Sequence, residues 1–222
     1  GMKLDIDIEG LRQVLDNLLK VSFDQEKIMQ QFKGLGINDP GFNLLVQRQK
    51  SLKDDMSMIR DSIFSLSKRI LQIQSFVNKE TETIDKYMTK TMESLGDRRT
   101  GEAAGYQQYV MTSVNNLAVM LSEVLDNLQN QQASAGKGKS KSKSKNQKPS
   151  LSMLNKMQQD LNDQMQQMKS GMKPGQTPRG QQSEQIAKMA RQQQAIRNAL
   201  QDINREQNKD GKGKLGDLDK LA

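Results

Sequence analysis

No histidine, cysteine or tryptophan occurs in this sequence, and aromatic residues make up only 4% of it. Without imidazole the common proton shuttle of neutral pH is missing, and with it the Ser–His and Cys–His pairs of nucleophilic catalysis. Without thiols there can be no disulfide and no zinc–thiolate site, although the redox compartment stays open, because a thiol-free chain is tolerated anywhere. The Glu-x-x-His pairs of di-iron bundles cannot be built either. These absences lead us to expect no enzyme, no cofactor and no metal.

Long apolar runs are also missing. No stretch approaches the roughly eighteen apolar residues that span a bilayer, and the start GMKLDIDIEG has no basic segment followed by an apolar core. A soluble chain is expected. Gly1 ahead of Met2, with an end at Leu221 and Ala222 in mid-pattern, suggests an excised fragment. At 34% apolar residues and a mean hydropathy of −0.81, the 222 residues cannot fill a thick globular core, so burial should run along narrow helix seams.

What is present in excess is positive charge, and it is concentrated. The stretch GKGKSKSKSKNQK, 136–148, holds six of the lysines and no acid; setting these aside turns a net charge of +8 into 28 basic residues against 26 acidic ones. A nucleic-acid module spreads basic residues over a folded face and interleaves arginine or aromatics, and neither accompanies these lysines. Alternating Lys and Ser bounded by Gly repels itself and offers nothing to bury, so the tract reads first as a flexible linker. Its secondary reading is a polyanion contact through Lys137, Lys139, Lys141, Lys143, Lys145 and Lys148, which would release counterions from any phosphate polymer they met.

The remaining segments are helical by periodicity. Ile8, Leu11, Leu15, Leu18, Val21, Ile28 and Phe32 share one face of a first helix, about 7–32, closed by the loop GLGINDPG, 34–41. From Phe42, three-four steps land on Leu45, Gln49, Leu52, Met56, Ile59, Ile63, Leu66, Ile70, Ile73, Val77, Glu80, Ile84 and Tyr87, with only Gln49 and Glu80 polar. Lacking Gly or Pro until Gly96, this reads as one helix about 80 Å long, with a heptad seam that demands partner helices. After GDRRTG, 96–101, a third helix, about 102–132, presents Val110, Val114, Leu117, Leu121, Val124 and Leu128; the economical packing lays the first helix on the leading half of the long one and the third on its trailing half.

Beyond the tract, Leu154, Met157, Leu161, Met165, Met168 and Met172 mark a fourth helix that stops at KPGQTPRG, 173–180, and Ile186, Met189, Ile196, Leu200 and Ile203 mark a fifth. The fold expected is therefore all-α, an elongated antiparallel helical bundle or coiled coil with one very long central helix. It divides into a three-helix bundle over 1–132, a linker over 133–149, and over 150–222 a softer Met- and Gln-rich hairpin with the start of a truncated helix. Met packs adaptably, so Met157, Met165, Met168, Met172 and Met189 are candidates for partner docking, against the plainer reading of ordinary core.

Other candidates dissolve on inspection. ASAGKGKS, 133–140, ends like a phosphate loop, but its leading glycine is Ala133, a helix precedes it and no helix follows directly. The Gly34, Gly36 and Gly41 group joins two helices, not a strand and a helix. NKDGKGKLGD, 208–217, puts Lys209, Lys212 and Lys214 where a calcium loop needs acids. Gln49 and Glu80 on the seam read as register-setting polar groups ahead of catalytic ones.

The segments IEGLRQVLDNLLKVSFDQEKIM, QKSLKDDMSMIRDSIFSLSKRILQIQSFVNKE, MTSVNNLAVMLSEVLDNLQNQQ, PSLSMLNKMQQDLNDQMQQM and DGKGKLGDLDKLA together resemble part of a family of large Bacteroidetes proteins, which carry transmembrane helices near the N-terminus and long coiled-coil-rich soluble regions. The resemblance implies the cell envelope, on an unspecified side of a membrane, and transfers no functional residues; this sequence lacks the anchor itself. The expected role is a noncatalytic scaffold or spacer that meets protein partners through helix faces, a second copy of itself among them.

Overall fold

The computed structural model describes residues 1–135, 151–171 and 180–209, with side chains described for 1–135, 151–167, 188–189 and 191–205. The helices are α1 (Met2–Lys33), α2 (Gly41–Ser67), the short α3 (Leu71–Gln74), α4 (Val77–Gly96), α5 (Thr100–Ala135), α6 (Leu151–Gly171) and α7 (Gly180–Lys209), and there is no strand among the described residues. The all-α expectation holds.

The long helix expected from Phe42 onward is broken. α2 ends at Ser67, where Arg69 and Ile70 both donate backbone N–H bonds to Leu66, and Ile70 turns extended at φ −107° and ψ 92°. No Gly or Pro marks the spot. The turn is held instead by polar side chains that satisfy freed carbonyls: the Gln74 amide donates to the Ser67 carbonyl at 2.8 Å, and the Ser67 hydroxyl to the Phe64 carbonyl at 2.7 Å. α4 then runs back along α2, bringing Lys53 to within 3.9 Å of Asp85. At 27 residues α2 spans about 40 Å, half the rod that the heptads imply.

Folding the seam in half lets it cover itself. α1, α2, α4 and α5 form an antiparallel ring in which each helix packs on two neighbours, enclosing a common apolar core. Every seam position from Phe42 to Tyr87 is buried except Glu80, which is only partly covered. In α4 the buried step falls on Thr81, whose hydroxyl donates to the Val77 carbonyl at 2.6 Å. α1 does pack on the leading half and α5 on the trailing half, as expected, but the two also pack on each other.

Two loops meet at one end of the ring. Pro40 precedes α2, and the Asp39 carboxylate accepts the Gly41 N–H at 2.8 Å. Across from it, Arg98 adopts φ 56°, a left-handed conformation taken here by an arginine and not by Gly34, Gly36, Gly41 or Gly96. Its guanidinium donates to the Ile37 carbonyl and lies 4.8 Å over the Phe42 ring, so the residue that bears the strain also ties the loops together.

The α6–α7 hairpin docks on this ring. α7 packs against α1 and α5, and α6 against α5 and α7. The ring helix that meets both α6 and α7 is α5, buried all round from Gln107 to Asn115. It occupies the central place that the sequence assigned to the helix starting at Phe42.

Candidate functional site

Polar side chains inside the molecule fall into two layers. The inner one crosses the four-helix core. Gln25 on α1 and Gln49 on α2 exchange amide hydrogen bonds at 2.7 and 2.8 Å, and Gln107 on α5 donates to Gln49 Oε1 at 3.0 Å. All three are at most 1% exposed, so each bond is made in a low-dielectric interior where an unpaired amide would be costly.

The outer layer lies between the ring and the hairpin. From the ring come Asp16, Ser22, Phe23 and Glu26 of α1, and Gln108, Thr112, Asn115 and Asn116 of α5. The Ser22 hydroxyl donates to Asn115 Oδ1 at 2.9 Å, and the Asn115 amide donates to the Gln193 carbonyl at 3.3 Å. Gln108 donates to the Gln193 side chain, and the Gln158 amide to the Thr112 carbonyl at 3.1 Å. At one edge the Asn155 amide reaches Glu123 at 2.7 Å.

Arg197 anchors the layer. It is 1% exposed, pairs with Glu26, donates to the Ser22 carbonyl at 3.4 Å and stacks 4.0 Å over the Phe23 ring. A planar guanidinium suits this combination of carboxylate and aromatic face, which an ammonium would not match. Further along, Asn204 donates to Asp16, whose carboxyl is pushed up from its ordinary range, chiefly by burial, against the opposing effect of that hydrogen bond.

The two layers differ in completeness. No side-chain polar atom of Gln25, Gln49 or Gln107 is left buried without a partner, whereas Gln108 Oε1, Gln158 Oε1, Gln193 Nε2, Arg197 Nε and Asn204 Oδ1 are. Each such group costs on the order of 1–3 kcal/mol. The polar layer under the hairpin is thus paired less completely than the amide layer inside the ring.

Met165 and Met189 belong to the core, and Met157 packs partly against it. The side chains of Met168 and Met172 lie outside the described residues, as does the whole lysine tract with Lys137, Lys139, Lys141, Lys143, Lys145 and Lys148. A groove between α2 and α4 is lined by Lys53, Met56, Ser57, Arg60, Thr81, Asp85 and Met88. Among the described residues no cluster of three acids could hold a metal, and no helix is long and apolar enough to cross a membrane.

Of the polar layers, the sequence pointed only to Gln49. Yet a signal for others exists, since Gln25 fills the gap in the α1 seam between Val21 and Ile28, and Gln193 the gap in α7 between Met189 and Ile196. The chain matches no protein-family model, no curated protein and no solved structure.

Proposed function

We propose that this chain is a noncatalytic scaffold or spacer module, the helical part of a larger protein anchored in a bacterial cell envelope, and that it works by presenting helix faces to protein partners. The observation that supports this most directly is how the buried polar groups are used. The amides and the buried guanidinium described above join one helix to another, as register-setting groups do in bundles, and do not converge on an opening where a substrate could react. The envelope context comes from the sequence resemblance.

A polyanion-binding role is the competing reading, favoured by the charge imbalance of the 136–148 tract. Deleting 136–148 separates the two. A scaffold predicts that intact and deleted chains share the same negligible affinity for duplex DNA at about 0.15 M salt, and that an antibody against the chain finds it in the membrane fraction of the source cell. A DNA affinity that falls steeply with salt in the intact chain and vanishes with the deletion would overturn the scaffold reading, because six phosphate contacts give a slope of roughly −5 in log K against log salt. Recovery only in the soluble fraction would remove the envelope part.

A further inference from the structure

We propose that Asp16 and Asn204 form a proton-operated latch for the α6–α7 hairpin: taking up a proton lets Asp16 donate to Asn204 Oδ1, and the hairpin is then held more firmly on the ring.

The latch stands on a half-made pair. Asn204 on α7 is 5% exposed and donates its amide to the half-buried Asp16 of α1, while its own Oδ1, also buried, has no hydrogen-bond partner. A primary amide sets its acceptor beside its donor, and an ionised carboxylate can only accept. Within this pair the acceptor is therefore satisfied only when Asp16 is a carboxylic acid, whose hydroxyl completes a ring of two hydrogen bonds. The molecule builds such a ring elsewhere, between the amides of Gln25 and Gln49 at 2.7 and 2.8 Å, and there no atom is stranded.

The charges around Asp16 come from every helix that packs on α1. Along α1 itself they are Glu9, Arg12 and Lys20; Arg12 lies 3.9 Å from Glu9, and Lys20 is exposed. α5 runs antiparallel to α1 in a register set by Ser22 with Asn115 and Asp5 with Gln132, which puts Leu121 opposite Asp16. It contains no Lys or Arg, and its charges at that level are Glu123 and Asp126. On α2, the meeting of Gly10 with Leu66 and of Asp7 with Arg69 sets Arg60 and Asp61 level with Asp16; Arg60 lines the groove toward α4, and Asp61 is exposed. α7 adds Asp202 and Arg205, both exposed. In this setting burial raises the Asp16 carboxyl above its ordinary range; the Asn204 bond opposes the rise, and Glu9 adds to it.

When the hairpin leaves, Asp16 faces water and its carboxyl returns toward about 4. A carboxyl whose seated value is raised binds its proton more tightly in the seated form, so acid favours docking. The added hold is fully present below about pH 4 and is lost as pH rises through the raised value.

Native-state hydrogen exchange of the full chain, Asp16→Asn and Asp16→Leu tests this, reading protection of α7 amides near Leu200 after correction for intrinsic rates. Asp16→Asn copies the protonated acid, since its amide can accept from Asn204 and donate back. At about pH 7 it should exceed the parent by about threefold or more, and at about pH 4 that lead should shrink as the parent takes up its own proton. Asp16→Leu removes the charge but strands both polar atoms of Asn204, so it should fall below Asp16→Asn at both pH values. In the parent, the carbon-13 shift of the Asp16 carboxyl should titrate above the ordinary carboxyl range.

The latch is overturned by an Asp16→Asn lead that is absent at neutral pH or undiminished in acid, and equally by an Asp16 carboxyl that titrates in the ordinary range. Asp16→Leu as protected as Asp16→Asn would also overturn it, because loss of charge and not the pair would then be the cause. The comparison holds whether the hairpin opens alone or with the ring, since the pair is lost either way. None of these results touches the scaffold reading, which the salt and membrane-fraction measurements decide.

Discussion

Gln49 accepts two hydrogen bonds and donates one in the middle of an apolar core, which makes it the side chain whose removal has the most definite consequence. Gln49→Leu keeps the volume close but strands the amides of Gln25 and Gln107, both fully buried. A loss of about 2–4 kcal/mol in urea unfolding is expected, since two groups are left without partners. The combined change of Gln25, Gln49 and Gln107 to Leu should recover most of that loss, because removing all members of a buried polar set is often neutral. A Gln49→Leu chain as stable as the parent would show that the layer is not formed. The apolar rhythm around Gln49 exposed it in the sequence, but Gln107 was hidden because it lies one step ahead of Val110, where the apolar seam of α5 begins, and so interrupts no apolar run. Arg197 was hidden for a related reason: on a surface helix an arginine is ordinary, and only the facing Phe23 and Glu26 explain its burial.

Helix boundaries were legible wherever glycine and proline punctuate the chain, as at Gly34 to Gly41 and at Gly96 to Gly101. The break after Ser67 was not, because its causes are distributed. A continuous seam buries itself better when folded back than when extended, and Gln74 and Ser67 supply the hydrogen bonds that a turn normally draws from glycine geometry. Seam positions alone cannot separate the two outcomes, since Ile70, Ile73 and Val77 are buried in the folded-back form just as they would be in a straight rod. The same balance of local and tertiary terms gives a prediction inside α5. Gly105 is a helical residue with no atom within 4 Å of where a Cβ would lie beyond its immediate surroundings. Gly105→Ala therefore gains helix propensity without a clash, and thermal or urea unfolding should show stabilisation by about 0.5–1 kcal/mol. Destabilisation by a similar amount would mean that something fills the space beside Gly105.

Taken whole, the molecule is a closed ring of four helices carrying a hairpin as a second layer. The expected rod failed with the break after Ser67: the pairing of α1 with α2 and of α5 with α4 was right, and what the sequence could not supply was the reversal that brings the two pairs together. The layers should also differ in how they open. The ring is sealed by Leu, Ile and Val with a satisfied amide set, while the hairpin is held by Met and Leu interspersed with Gln158, Gln193 and Arg197, whose polar atoms are incompletely paired. Hydrogen exchange follows the cheapest opening that frees each amide, so amides of the hairpin near Leu161 and Ile196 should exchange through its departure, and those near Leu117 and Ile84 only through unfolding of the ring. A difference of at least tenfold in protection, about 1.4 kcal/mol, is expected between the two sets under native conditions. Arg197→Met, which leaves Glu26 without its cation, should widen the gap by speeding the hairpin set alone. Equal protection in both sets, or an Arg197→Met effect that reaches Leu117, would mean that the molecule opens as a single cooperative unit and that the hairpin cannot leave by itself.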